Sequence, residues 1–156
     1  MLIYNIPGRD RIEIENVVFD YNGTVAVDGK LIDDARELIL KLKEYVNIYI
    51  LTADTYGTVE SQCKELGVKV ATFPKEMASL SKKEIVEGLG PEKTICVGNG
   101  FNDIEMFKIC KISVAVMENE GCSGKLLSYS DIVTKSIKDA IEIILSENRM
   151  KATLRN

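Results

Sequence analysis

The chain of 156 residues contains no histidine. That absence excludes Ser-His and Cys-His nucleophilic pairs and imidazole-based metal centres, leaving carboxylates, amides, hydroxyls and amines as the groups available for chemistry. A basic excess is missing too. Twenty Lys and Arg against 24 Asp and Glu give a net charge of −4, so no positive field is present to hold a nucleic-acid backbone. No apolar run approaches the roughly 20 residues of a membrane-spanning helix, and the first residues lack a signal-peptide pattern. The four cysteines, Cys63, Cys96, Cys110 and Cys122, show no metal-type spacing. They mostly fall in apolar contexts and read as reduced thiols of a cytoplasmic protein. Linkers, repeats and low-complexity stretches are absent. With 46% hydrophobic and 28% charged residues, the composition is that of an ordinary globular protein, and the length suits one domain over 1–156 whose core needs neither disulfide nor structural metal.

What is present alternates between strand and helix patterns. Residues 1–15 predict a strand pair turning at Pro7-Gly8. Val17-Val18-Phe19-Asp20 is a short apolar run rich in β-branched residues, which predicts a buried parallel strand. Val25 to Leu31 predicts a small hairpin around Asp28-Gly29. Ala35, Leu38, Ile39 and Leu42 form a helical stripe leading into a strand at 48–51, followed by a helix over roughly 56–66 and a strand from Val68. Ser81 with Glu84 has the spacing of a capping box and predicts a helix starting there and running to Leu89. A strand at 94–97, a helix over 102–109, a strand at 112–116 and a short strand at Ile132-Val133 follow. A last helix carries Ile137, Ala140, Ile141 and Ile144 on one face. This alternation predicts a three-layer α/β/α sandwich around a Rossmann-like, mainly parallel sheet.

Several polar residues fall where these strands end. Asp20 closes the first central strand and is followed at once by Tyr21-Asn22-Gly23-Thr24. A carboxylate there sits at the mouth where open α/β sheets bind ligands, and Gly23 lets the backbone turn tightly and offer N–H groups to an anion. The layout suits an aspartate nucleophile facing a phosphate; a strand-end Asp that only accepts turn hydrogen bonds is the other reading. Thr52-Ala53-Asp54 ends the 48–51 strand, Lys82-Lys83 lies on the following helix, and Gly98-Asn99-Gly100-Phe101-Asn102-Asp103 follows the 94–97 strand.

A nucleophilic Asp, a hydroxyl, a lysine and a late acidic cluster, in that order and each at an element end, resemble the four motifs of the haloacid dehalogenase-like superfamily, over nearly the whole chain. The resemblance implies that Asp20 attacks phosphorus to give an aspartyl-phosphate. It implies that Asp20, the backbone carbonyl of Asn22, Asn99 and Asp103 hold Mg²⁺, and that Thr52 donates its hydroxyl to a phosphate oxygen. Thr52 read alone equally suits a cap for the helix that follows. Lys82 or Lys83 would neutralise the phosphoryl group and tether the nucleophile. Lys82 is preferred because it shares a face with Ile85, Val86 and Leu89, and a solvated lysine pair is the alternative. The gaps from Asp20 to Thr52 and from Thr52 to Lys82 leave no room for the cap domains inserted there in many superfamily members, so the chain looks capless.

Two positions depart from the superfamily pattern. Asn22 stands where its phosphatases generally carry an acid/base Asp, and Asn99 where a metal-binding Asp is common. P-type ATPases resemble the chain in lacking the former Asp. Their TGD triplet resembles Thr52-Ala53-Asp54, and their lysine-bearing helix resembles Lys82 to Glu87. As a whole the chain resembles the soluble P-type ATPase-like family, without the membrane segments that transport requires. Three functions are therefore weighed. The first is a slow Mg²⁺-dependent phosphatase acting on a phosphorylated small molecule or macromolecule. The second is an impaired module that binds Mg²⁺ and a phosphorylated ligand or protein partner. The third is a receiver-like phospho-acceptor, disfavoured because receivers place their acidic cluster on the first strand. A homo-oligomer would be one way to cover an open site. Tyr21, the 25–31 hairpin and Phe101 flank the expected mouth, with Phe101 expected to pack inward.

Overall fold

Leu2–Tyr4 (β1) and Ile12–Ile14 (β2) pair antiparallel ahead of the main sheet. The computed structural model describes residues 1–54 and 57–156. Strand β3 (Asn16–Asp20) leads into the hairpin β4 (Ala26–Val27) and β5 (Lys30–Leu31) and then helix α1 (Asp33–Leu42). There follow β6 (Asn47–Thr52), α2 (Thr58–Cys63), β7 (Lys69–Thr72), α3 (Ala78–Leu89) and β8 (Thr94–Gly98). The chain ends with α4 (Ile104–Ile109), β9 (Ile112–Val116), α5 (Gly124–Leu127), β10 (Ile132–Thr134), α6 (Ile137–Leu145) and α7 (Glu147–Leu154).

Six strands form one parallel sheet in the order β10-β9-β8-β3-β6-β7. Side chains alternate across it with the strand period of two. Val17, Phe19, Ile50, Ile95, Val97, Ile112 and Val114 pack with residues of α1, α2, α6 and α7 on one face. Val18, Leu51, Cys96 and Ala115 pack with residues of α3, α4 and α5 on the other. With helices covering both faces, β3, β8 and β9 are buried along their whole length, which is why they read as mainly apolar runs. The chain leaves β3 toward β6 and β7, then returns to β8 on the other side. Direction therefore reverses between β3 and β8, and their C-terminal ends flank the crevice where such sheets bind ligands. Between β3 and α1 stands only the β4–β5 hairpin, whose turn residues Asp28 and Gly29 have φ of 51° and 76°, the left-handed pair a two-residue hairpin turn requires.

Three expectations change. Helix α3 begins at Ala78, without a capping side chain, rather than at Ser81. The earlier start sets Ala78, Lys82 and Val86 at i, i+4 and i+8 on one buried face, so tertiary packing overrides the local capping signal. Lys82 thus lies in the second turn of its helix. Helix α2 is shorter than expected, with a 3₁₀ turn over Lys64–Leu66 completing the segment; residue 56, its expected start, lies outside the described residues. A further helix, α7, follows α6 after Ser146, whose side chain accepts from the Arg149 N–H, and it buries Met150 and Leu154.

Helix α6 starts at Ser136, whose hydroxyl oxygen accepts from the Asp139 N–H at 3.0 Å. Ser136→Ala is expected to cost about 1 kcal/mol by removing this cap, read as a lower urea midpoint with unchanged slope.

Candidate active site

The polar ends of β3, β6 and β8 meet around one buried ammonium. Lys82 is 2% exposed. Its Nζ donates to Asp20 Oδ1 at 2.7 Å, Asp103 Oδ1 at 2.7 Å and Asn102 Oδ1 at 2.9 Å. Lys83 lies on the flank of the helix, 3.6 Å from Glu87. Asp20 points to the α3 side of the sheet because it shares its parity with Val18, two residues earlier. Burial comes first in pushing the Asp20 pKa up, and the Asp103 carboxylate adds to it. Lys82 and Thr24 pull the other way, and the net result lies well above the ordinary carboxylate range. For Lys82, burial opposes the charged form, but Asp103 and Asp20 outweigh it and raise its pKa.

Asp103 is fully buried and committed at both oxygens. Oδ1 takes the Lys82 bond, while Oδ2 accepts from the N–H groups of Asn99 and Gly100 at 3.1 and 2.9 Å. Its approach depends on Gly98, since a Cβ there would collide with the Asp103 carboxylate. In this structure Asp103, expected to reach the metal directly or through water, anchors Lys82 and the 98–100 turn, and its Oδ1, with one hydrogen bond, keeps a second acceptor site. Asn102, given no role in the sequence reading, is the exposed third partner of Lys82.

Beside Asp20, the buried Thr24 hydroxyl lies 3.3 Å from both Asp20 Oδ2 and Asn99 Oδ1. One hydrogen cannot serve both oxygens at once, so two hard donors converge there with their capacity unfilled. Asn99 is oriented by donating its amide N–H to the Gly121 carbonyl at 3.0 Å, which turns its oxygen inward. Gly23 has φ of 79° and a Cβ there would strike the Asn99 amide, so this turn needs glycine on both counts. Two carboxylates against one ammonium leave the buried triad with an excess negative charge. One carboxylate, neutral oxygens and residual negative charge fit Mg²⁺, which keeps waters and takes few protein ligands. Among the described residues no group of three or more acidic, Cys or His side chains is placed to hold a metal by itself.

Asp20, Asn22, Thr52, Lys82, Asn99 and Asn102 line a single cleft of about 270 Å³, together with Lys75. Thr52 is buried; its Oγ1 accepts from the Asp54 N–H at 3.1 Å, which leaves its own hydrogen to donate. The Asp54 carboxylate accepts from the Val59 N–H in α2 at 3.0 Å, so Asp54 rather than Thr52 supports that helix. The hairpin wall is tied down from several sides. Gln62 donates to the Gly29 carbonyl and accepts from the Leu31 N–H, Tyr21 Oη donates to Gly29, and Glu120 accepts from the Asp28 N–H. Tyr21 is therefore a packing and tethering residue. Phe101, expected to pack inward, is instead 63% exposed with the Lys125 ammonium 5.9 Å from its ring centre; the 3₁₀ turn over Phe101–Asp103 turns Asp103 inward. The four cysteines are free, with Cys63 and Cys96 buried and Cys110 and Cys122 partly so. Among the described residues no helix is long and apolar enough to cross a membrane.

Comparison with known proteins agrees with this geometry. An uncharacterized protein of Methanocaldococcus jannaschii is 41% identical over 81 residues, 49% of this chain and 87% of that protein. A soluble P-type ATPase-like phosphatase of the same organism is 28% identical over 123 residues, which cover 77% of this chain and 45% of the phosphatase. This chain thus spans less than half the length of that relative. Among solved structures, a 3-deoxy-D-manno-octulosonate 8-phosphate phosphatase from Moraxella catarrhalis, in complex with magnesium, phosphate and KDO, shares the fold with a TM-score of 0.72. It is 16% identical, with 89% of this chain and 90% of that one covered. Residues 3–110 match the haloacid dehalogenase-like hydrolase family, and residues 77–145 match a second description of the same name. With its β3 carboxylate, lysine and β8 turn arranged as described, the chain belongs to the haloacid dehalogenase-like hydrolase family.

Proposed function

We propose that this protein is a Mg²⁺-dependent phosphohydrolase in which Asp20 is the nucleophile, contained in one domain over 1–156. The observation that carries this reading is the Asp20 carboxylate held by Lys82 at the floor of a cleft that also presents Thr52. Lys82 fixes Oδ1 of Asp20 and leaves Oδ2 on the side shared with Asn99. Asp20, the Asn22 carbonyl and the Asn99 side-chain oxygen would hold Mg²⁺, which when bound supplies positive charge where carboxylate and phosphate meet. A carboxylate oxygen of Asp20 forms the new bond to phosphorus as the ester P–O bond breaks. The Thr52 hydroxyl donates to a phosphate oxygen during that transfer. The departing oxygen takes its proton from solvent, because the Asn22 amide cannot deliver one. Water then attacks the phosphorus of the aspartyl-phosphate, releasing orthophosphate and restoring Asp20. Both proton transfers proceed without a positioned acid or base, so turnover is slow. The curated phosphatase relative and the phosphatase of the same fold support this chemistry.

Asn22 also favours a second reading, a module that binds Mg²⁺ and a phosphorylated ligand or protein partner without turnover. The test is hydrolysis of p-nitrophenyl phosphate by wild type and Asn22→Asp, with and without EDTA. Asn22→Asp is expected to raise kcat about a hundredfold, the lower end of what a positioned acid–base contributes, and EDTA is expected to abolish turnover by both. An inactive wild type beside an active Asn22→Asp variant would leave the scaffold competent but naturally disabled. Inactivity of both would favour the binding module.

A further inference from the structure

Of the asparagines in the chain, only Asn22 and Asn99 are followed by glycine. They are also the two positions that depart from the superfamily pattern. An asparagine before glycine can lose its side-chain amide with water as the sole co-reactant. The glycine nitrogen, unshielded by a Cβ, can reach the side-chain carbonyl carbon. The structure holds the two pairs differently. The Asn99 side chain is tied at both ends, its amide N–H donating to the Gly121 carbonyl at 3.0 Å and its oxygen lying 3.3 Å from the Thr24 hydroxyl. The Gly100 N–H is fixed by the buried Asp103 carboxylate at 2.9 Å, a charge-assisted bond of the strong kind. Asn22 is exposed, and among the described residues its side chain has no hydrogen bond. The Gly23 N–H makes a neutral bond, to the Ala26 carbonyl at 2.8 Å. Asn22 also lines the cleft that holds Asp20, so a carboxylate created there would stand at the site of the chemistry.

We propose that Asn22 is a self-modification site, deamidated through the Gly23 nitrogen to aspartate, which supplies the proton-transferring carboxylate missing from the newly made protein. The Gly23 nitrogen bonds to the side-chain carbonyl carbon of Asn22 and gives its proton to water. The bond from that carbon to the amide nitrogen breaks, and ammonia leaves. Water then opens the resulting cyclic imide at the same carbon, which frees the Gly23 nitrogen from the side chain and leaves a carboxylate on residue 22. One water is consumed and one ammonia released, with no oxidant or reductant. Opening at the main-chain carbonyl gives isoaspartate instead, which routes the backbone through the side chain. Closure at Asn22 requires the Gly23 N–H to leave the Ala26 carbonyl. Closure at Asn99 requires the side chain to leave its partners and the Gly100 N–H to leave a buried carboxylate, so Asn99 keeps its amide. The inference deepens the phosphohydrolase reading and rests on it: slow turnover belongs to fresh protein, and aged protein is faster.

The experiment incubates freshly purified wild type and Asn22→Gln in heavy-oxygen water at neutral and mildly alkaline pH. Peptide mapping by mass spectrometry then follows residues 22 and 99, beside Mg²⁺-dependent hydrolysis of p-nitrophenyl phosphate. Wild type is expected to take up labelled oxygen at residue 22 ahead of residue 99. Uptake should be faster at the higher pH, because the Gly23 nitrogen must lose its proton. Its kcat should rise with the converted fraction toward that of Asn22→Asp, about a hundredfold above fresh protein. Asn22→Gln should gain neither label at residue 22 nor activity, since the longer side chain closes a less favourable ring. An unlabelled residue 22, faster conversion at residue 99, or isoaspartate as the only product overturns the proposal. Aged wild type that gains no activity while Asn22→Asp is active also overturns it, and keeps the phosphohydrolase. Labelled aspartate at residue 22 beside an inactive Asn22→Asp variant supports the modification and removes the phosphohydrolase reading.

Discussion

Asp20→Asn is expected to abolish phosphate-ester turnover while making the metal-free protein more stable. Loss of the nucleophile should lower kcat by at least about a thousandfold. The stability gain follows from the environment of the carboxylate. Burial and the neighbouring Asp103 raise the Asp20 pKa above its ordinary value even with Lys82 and Thr24 beside it, so the folded state disfavours the charged form relative to the unfolded chain. An amide of the same shape still offers an oxygen to Lys82 and removes the excess negative charge. The gain is expected to be on the order of 1 kcal/mol at neutral pH, or about 2–4 °C in melting temperature for a chain of this size. Its pH dependence has a definite sign. A group whose folded pKa is raised favours folding while protonated and loses that contribution as pH rises. The advantage of Asp20→Asn should therefore be smallest near the ordinary value of 3.8 and widen as pH rises to about 7. Thermal melts in EDTA across that interval, beside p-nitrophenyl phosphate assays at neutral pH, check both halves. A variant that melts below wild type at pH 7 would contradict the reading of Asp20 as a strained functional carboxylate.

Lys82→Met has the opposite expected signature, losing both stability and activity. The side chain is 2% exposed and holds two carboxylates at 2.7 Å. A methionine replaces its stem but leaves Asp20 and Asp103 facing each other without a cation. Removing one partner of a buried ion pair typically costs about 3–5 kcal/mol, because the remaining charge stays desolvated. Urea unfolding should show that loss in the midpoint, and turnover should fall with it, since Asp20 is no longer oriented. Combining the change with Asp20→Asn should recover at least about 1 kcal/mol of the predicted sum, as one of the two stranded charges is gone and neighbouring sites couple by this much. A loss below about 1 kcal/mol for Lys82→Met would mean that the triad does not hold the site together.

Much of the fold was legible because its strands are buried on both faces. Val17 to Phe19 is a continuous apolar run and Ile112 to Val116 is broken only by Ser113, and their bounding residues are close to the observed strand ends. The Asp28-Gly29 hairpin was legible because few residue pairs accept two consecutive positive φ values. The start of α3 was not. Ser81 and Glu84 carry a cap signature three residues apart, yet the helix begins earlier because Ala78 and Lys82 gain buried positions by doing so. Helix α7 was missed although Met150 and Leu154 stand four apart on its buried face; a segment of eight residues with two apolar anchors gives little periodicity to read.

At the site, chain order and residue type were enough to single out Asp20, Asn22, Thr52, Lys82, Asn99 and Asp103, because each stands at or near the end of an element whose apolar pattern is visible. The missing acid/base at Asn22 was equally plain, since a side-chain amide cannot transfer a proton in any fold. What occupies the Asp103 oxygens and which partners surround the Lys82 ammonium were decided only by the tertiary structure. Those outcomes depend on which side-chain atoms converge within 3 Å when β3, β8 and α3 pack together, and on how many donors and acceptors remain. Lys75 shows the difference most clearly. In the sequence it is one charge in a Pro-Lys-Glu turn, and its place at the cleft exists only once that turn packs beside the ends of β3 and β6.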